Sequence, residues 1–457
     1  MNTNPHLTGL PLPKPDVLAP EGLDQNTGTA QIFRLPQVKA IIKGDFIVLP
    51  CDLVCELGGE SLLETWMVKE TGLGGPGGDH QLPGAKLAPA GGKRIQRGGL
   101  GVWYETKGET VVKGEETDFI ATSPLDAGSV PPSKNSLLSE MSKLIYSVPT
   151  DTLNDITEDK KSLPIRHSLI RAHSRIRMLS SHRDAHIYIF PAWVLEMINQ
   201  NEHFDSIGED VIGWWAKAGW QDGLGDKLGL RGIFKNAEPT ASDDNLLDNA
   251  PADDIDFANL STTWTTNLRT TKATDKLEVP PILAYLHPSK PTPKRPTVPL
   301  VRRVDTAPLL LSVSLQLAKL ESLENIGRET ASPFAHHLKV AYPEGVASKT
   351  TVTRPDCLLA ENVTVEEKCS IKESVIGANC QIKSGAKLTR CVLMDGVVVG
   401  KGCKLTGCIL GKRSVIGEDS VLVDCEVQEN LMVDPKSKQP FYMCLMISRM
   451  MSMLIIL

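Results

Sequence analysis

The chain has 457 residues, 49 Lys+Arg against 55 Asp+Glu for a net charge of −6, and 41% hydrophobic with 23% charged residues. This is globular composition with room for two or three domains, and it excludes a wholly disordered or collagen-like chain. No long stretch is strongly basic, so the footprint of a direct nucleic-acid partner is missing.

In chain order, residues 1–20 place no cationic segment ahead of an apolar run, which reads as neither signal nor transit peptide and predicts a cytosolic protein. The run DFIVLPCDL (45–53) reads as a buried strand ending at Asp52, and ESLLETWMVKE (60–70) has apolar positions at helical spacing. Residues 71–101 are expected to be a flexible Gly/Pro-rich loop. Strand patterns return at 101–106, 117–122 and 185–190, Pro191 opens a helix, and 206–220 read as a further helix. The alternation predicts a partial α/β domain over 1–235. Residues 236–345 are expected to hold an acidic disordered insertion, then a strand at 280–287 and an apolar helix at 306–323 that link two domains. A β-helix is predicted over 346–433 and an atypical hydrophobic tail over 434–457. From Phe441 onward the tail is at the short limit for a membrane span and contains Arg449, so it reads as an aberrant chain end or a segment packed on the last domain, with no membrane partner.

The β-helix rests on an internal repeat. Leu359, Val365, Ile371; Ile376, Ile382, Leu388; Leu393, Val399, Leu405; and Leu410, Ile416, Leu422 follow a 6, 6, 5 spacing with a period of 17. Twelve Leu, Ile or Val in a row arise by chance with a probability on the order of 10⁻⁵. Four residues after each aliphatic lies a second series, Val363 through Glu426, of which eleven of twelve are small or aliphatic and are expected to fill a narrow three-sided lumen. Gly377, Gly400, Gly411 and Gly417 follow an aliphatic directly, where a turn residue free to take φ > 0 is useful. Seven of the ten cysteines fall between Cys357 and Cys425 and read as buried free thiols, because no zinc spacing occurs.

Few residues suggest chemistry. Gly72, Gly74 and Gly77 satisfy GxGxxG, but after a helix pattern and before more loop, so they read as loop rather than phosphate cradle. Asp52 stands where open α/β sheets bind ligands and could hold a divalent cation on a nucleotide phosphate; the other reading is a cap of the following helix. Asp222 is a second carboxylate at no fixed distance from it. No histidine follows His337, so the general base of a hexapeptide acyltransferase is absent from the repeat. Residues 357–427 carry nine Lys/Arg and nine Asp/Glu, and that zero balance suits a protein-contact surface better than a phosphate site.

An α/β domain with an Asp-ended strand, a linker and a C-terminal hexapeptide β-helix resembles the layout of the sugar-nucleotide pyrophosphorylases and their relatives. The strings DFIVLPCDL, DAHIYIFPAWVL, PPILAYLH and CSIKESVIGANCQIKSGAKLTRCVLMDGVVVGKGCKLTGCILG are similar to the gamma-subunit family of eukaryotic translation initiation factor 2B. The resemblance implies a pyrophosphorylase-like, nucleotidyltransferase-like α/β domain followed by a left-handed parallel β-helix. It implies a non-catalytic regulatory and assembly subunit of the guanine-nucleotide exchange factor that recycles GDP-bound initiation factor 2 to its GTP form. The implied partners are the epsilon and other subunits of initiation factor 2B and the GTPase itself, with the exchange-catalytic domain on epsilon. No cofactor, metal or catalytic residue is expected, Asp52 being at most a vestigial nucleotide or metal position. Pyrophosphorylases open with a Gly-rich loop and a Lys after the first strand, and no such loop precedes Asp52 here. The alternative is an active sugar-nucleotide pyrophosphorylase making a nucleotide sugar.

Overall fold

The computed structural model describes residues 17–20, 23–24, 26–71, 96–107, 111–112, 114–125, 136–236, 277–291, 298–327, 331–353, 355–440 and 454–456. The Gly-rich motif at 72–77, the core of the acidic insertion (237–276) and the tail segment 441–453 lie outside the described residues.

The N-terminal part is built on strands β1 (Phe46–Pro50), β3 (Gly99–Glu105), β4 (Asp118–Pro124), β5 (Met141–Val148), β6 (Arg177–Phe190) and β7 (Ile282–His287). Leu454–Ile456 adds an edge strand to β1, giving the order edge strand, β1, β6, β3, β7, β5, β4, with β6 also reaching β4. β3 and β7 run parallel, and the other pairs of this sheet are antiparallel. β2 (Leu53–Cys55) and β8 (Val301–Arg303) form a separate antiparallel pair.

Two expectations change here. The run at 280–287 is no linker: β7 sits inside the sheet between β3 and β5, with Ile282, Leu283, Ala284 and Tyr285 all buried. A strand covered on both faces takes such a continuous apolar run, so the domain continues well past residue 235. The loop expected to last to residue 101 ends sooner, because Gly99 and Gly101 belong to β3. A Cβ on Gly99 would lie 2.6 Å from the Trp215 ring, and one on Gly101 2.6 Å from the Trp103 ring. These glycines mark close side-chain approach within a strand, not a loop.

Helices cover both faces of the sheet. On one, Trp193–Gln200 and Ile212–Ala218 bring Trp193 and Trp215 edge to face at 4.7 Å, against Phe190 and Val48. On the other, Leu62 and Trp66 of the helix Gly59–Thr71 pack on Leu100, Val102 and Tyr285.

The C-terminal part is a parallel β-solenoid of three sheets. Each strand pairs with the one seventeen residues on: Leu359 with Ile376, Ile376 with Leu393, Leu393 with Leu410, and likewise on the other two sheets. The sequence period is therefore one coil, and all twelve aliphatics are 3% exposed or less. Strands extend from Thr351 to Pro440, and bridges from Val340 and Val346 start an incomplete first coil, so the solenoid is longer than the apolar pattern indicated. Its end strands need only one neighbour and tolerate polar residues.

Two details of the repeat are corrected. In every third strand the lumen position is Ser374, Cys391, Cys408 or Cys425, each at most 4% exposed, and not Val375, Val392, Ile409 or Glu426. The step there is five residues, not six, which shifts the alternation by one and turns the latter set outward. The four glycines are not the left-handed positions either. Those are the corners at 362, 368, 373, 379, 385, 390, 396, 402, 407, 413, 419, 424, 430 and 436, mostly Asn, Asp, Lys, Arg or Gly. Gly411 is required for another reason: a Cβ there would sit 2.5 Å from the Glu429 backbone nitrogen of the next coil.

The helix Ala307–Lys319 lies on the outer face of the wall made by the strands Val375–Ile376 and Val392–Leu393, and on that wall Val392 and Ile409 are each only 7% exposed. The described cysteines are free, and those of the solenoid are buried.

Candidate functional site

The densest set of titratable side chains lies where β6 crosses β3 and β4. Between Gly101 and Trp103 the pairing on β6 jumps from Tyr188 to Asp184, a bulge, and His186 within it has φ +53°. A non-glycine residue held in the left-handed region marks local strain of the kind found at specialised sites. The bulge gathers side chains spaced two apart. His186 N donates to Asp184 Oδ1 (2.8 Å), Tyr188 Oη donates to Asp184 Oδ2 (2.6 Å), and Asp184 N donates to Asp118 Oδ2 (2.7 Å). Asp118 Oδ1 in turn accepts from Thr150 N (3.1 Å).

Strand β8 brings the cations. Arg303 donates to Asp52 Oδ2 through Nε (3.1 Å) and Nη2 (3.0 Å), and its Nη1 is 3.3 Å from His186 Nε2. A guanidinium only donates, so Nε2 accepts and the imidazole proton is assigned to Nδ1. Arg183 pairs with Asp305 at 2.6 Å. Arg302 pairs with Glu115 at 2.8 Å, their side chains 8% and 2% exposed, and lies over the Tyr104 ring.

The electrostatics follow from burial. Burial, and then the charge of Asp118, pushes Asp184 up to about 7. Burial, and then the Arg303 and Arg183 charges, holds His186 well below the usual imidazole range, so it is neutral at neutral pH. Burial raises Asp118, and pushes Tyr104 up to about 12. Both Asp184 oxygens already accept hydrogen bonds and the residue is 7% exposed. In this state the cluster ties together β6, β8 and the turn at 51–52.

Asp52 is thus placed differently from either sequence reading. It lies in the turn after β1, and the helix it was expected to cap begins at Gly59, too far along the chain for a cap. The carboxylate that could have held a divalent cation is instead paired with the Arg303 guanidinium. Asp222 lies in the turn between the helices Ile212–Ala218 and Leu224–Lys227; the carboxylate that shares Arg303 with Asp52 is Asp305, at 3.5 Å. Sequence reasoning missed Asp118, Asp184, His186 and Arg303. Polar residues at 184, 186 and 188 inside an apolar strand were the available signal; Arg303 offered none. No group of three or more His, Cys, Asp or Glu among the described residues converges as metal ligands would.

The solenoid presents three unlike walls. One is covered by the helix Ala307–Lys319. A second faces outward with Thr364, Gln381, Val398, Val415 and Met432, none charged. The third carries Lys372, Lys387, Lys404 and Lys438.

The class these features define is a helix-covered mixed sheet joined to a parallel hexapeptide solenoid. Comparison with known proteins narrows the solenoid. The family described as "EIF2B subunit epsilon LbH domain" matches residues 342–438. Translation initiation factor eIF2B subunit gamma of Schizosaccharomyces pombe is 32% identical over 81 residues, 18% of this chain and 16% of that protein. The match thus spans about a sixth of that relative, and the two comparisons name different subunits. Among solved structures, the CcmM N-terminal domain in complex with CcmN is 16% identical, covering 21% of this chain and 78% of that one at a TM-score of 0.15. No helix among the described residues is long and apolar enough to cross a membrane.

Proposed function

We propose that this chain is a non-catalytic regulatory and assembly subunit, of the gamma type, in the exchange factor that returns GDP-bound translation initiation factor 2 to its GTP form. The observation that carries the reading is the solenoid at 342–438, whose match is to an initiation factor 2B domain. In this reading the solenoid is a left-handed β-helix, the N-terminal sheet descends from a pyrophosphorylase-like domain, and the complex works in the cytosol. Exchange needs no nucleophile or proton transfer; it needs tighter binding of the nucleotide-free GTPase than of the loaded one. The Arg303–Asp52 pair supports the reading, because the carboxylate that could have held a divalent cation is already paired with a guanidinium.

Two assays test it. The chain incubated with each nucleoside triphosphate and sugar 1-phosphates is expected to form no nucleotide sugar, and the complex purified through it is expected to accelerate GDP release from initiation factor 2. Nucleotide-sugar synthesis would replace this reading with that of an active pyrophosphorylase.

A further inference from the structure

The zero net charge of the repeat conceals a segregation. Residues 368–407 hold seven Lys/Arg and two Asp/Glu, a local balance of +5, which the flanking residues 357–367 and 408–427 cancel. Much of the excess stands on one wall. Lys387 and Lys404 are direct partners on adjacent parallel strands, and Lys372 and Lys438 project from the same wall. All four are exposed, and among the described residues no carboxylate lies within ion-pair distance of their ammonium groups. At one corner of the solenoid, by contrast, Lys412 meets Asp395 at 3.8 Å and Arg413 meets Glu429 at 3.0 Å.

Adjacent strands are about 4.8 Å apart, and like charges directly opposite destabilise a sheet. We propose that the lysine wall docks an acidic, extended segment of a partner protein. The Thr389 and Thr406 hydroxyls, beside the two stacked lysines, add hydrogen-bonding groups to the same face. The wall's chemistry favours a peptide over a nucleic acid. Single-stranded nucleic acids bind by stacking bases on aromatic rings, and no Phe, Tyr, Trp or His occurs between Pro343 and Pro440.

This deepens the assembly-subunit reading and rests on it, but the test separates the two. Full-length chain is titrated with a fluorescent Glu-rich peptide and, separately, with a mixed-sequence single-stranded RNA, while co-purification with partner subunits is followed in parallel. The peptide is expected to bind, with an affinity that falls steeply with salt. It should weaken at least about tenfold in Lys387→Glu/Lys404→Glu and several-fold in Lys387→Gln/Lys404→Gln. Lys412→Glu/Arg413→Glu, at a corner, should change it less than about twofold. Matching melting curves would show that the variants fold. Unchanged peptide binding in both wall variants, absence of binding to the wild type, or tighter binding of the RNA would overturn the proposal. Such a failure with co-purification intact would leave the subunit reading standing.

Discussion

Arg303 reaches Asp52 across 251 residues of sequence and His186 across 117, and only the fold makes those contacts. With the Arg303 side chain 13% and that of Asp52 18% exposed, the pair is too enclosed to be treated as a surface ion pair. Arg303→Met should lower stability by about 2 kcal/mol in urea unfolding, because Asp52 and Asp305 keep their charge and lose a cation. A change below about 0.5 kcal/mol, ordinary for surface positions, would contradict this account of the cluster. Asp184 gives a second test. Its folded pKa, about 7, lies above the value near 3.9 expected in the unfolded chain, so between these the native state binds the extra proton. Its contribution is fully present below the unfolded value and is lost as pH rises toward 7. Asp184→Asn keeps an acceptor for the His186 amide and cannot ionise, so its stability relative to wild type should improve from pH 4.5 to pH 7.5. An advantage that does not change with pH would show that folding does not raise the Asp184 pKa above its unfolded value. The polar alternation of Asp184, His186 and Tyr188 was visible in the sequence, but the bulge that joins them was not. It depends on a register jump against β3, a long-range fact without a local signature.

At the scale of elements the solenoid was the most legible part. A period of 17 in Leu, Ile and Val leaves one way to bury every aliphatic, and the strands pair at that offset. What periodicity did not resolve was which neighbour of each aliphatic points inward after the five-residue step. Leu393→Lys, 1% exposed in mid-stack, should cost several kcal/mol and unfold the solenoid, since the ammonium cannot reach water without opening adjacent coils. The exposed Lys401→Glu should stay within about 0.5 kcal/mol, measured in the same denaturant series. Gly411→Ala should cost roughly 1–3 kcal/mol by overpacking against the backbone of the next coil. A neutral result there would show that neighbouring coils separate easily. The strand at 280–287 was legible as a strand and not as part of the sheet, because an apolar run specifies burial without naming its neighbours.

The whole molecule joins an α/β sheet whose polar cluster is closed by an arginine to a solenoid with one wall packed against a helix and another bearing lysines. Composition left room for two or three domains. It did not indicate that the chain returns after the acidic insertion to complete the first sheet, which requires pairing between β3 and β7 across more than 180 residues. The central claim is that the solenoid makes this chain a subunit of an initiation factor 2B assembly. The most direct measurement is affinity purification of the tagged chain, wild type beside Leu393→Lys, from its own cells, with quantitative mass spectrometry of what accompanies it. The account predicts stoichiometric initiation factor 2B subunits with the wild type and their loss from the variant. Wild-type chain recovered alone, or Leu393→Lys retaining the full set of subunits, would contradict it.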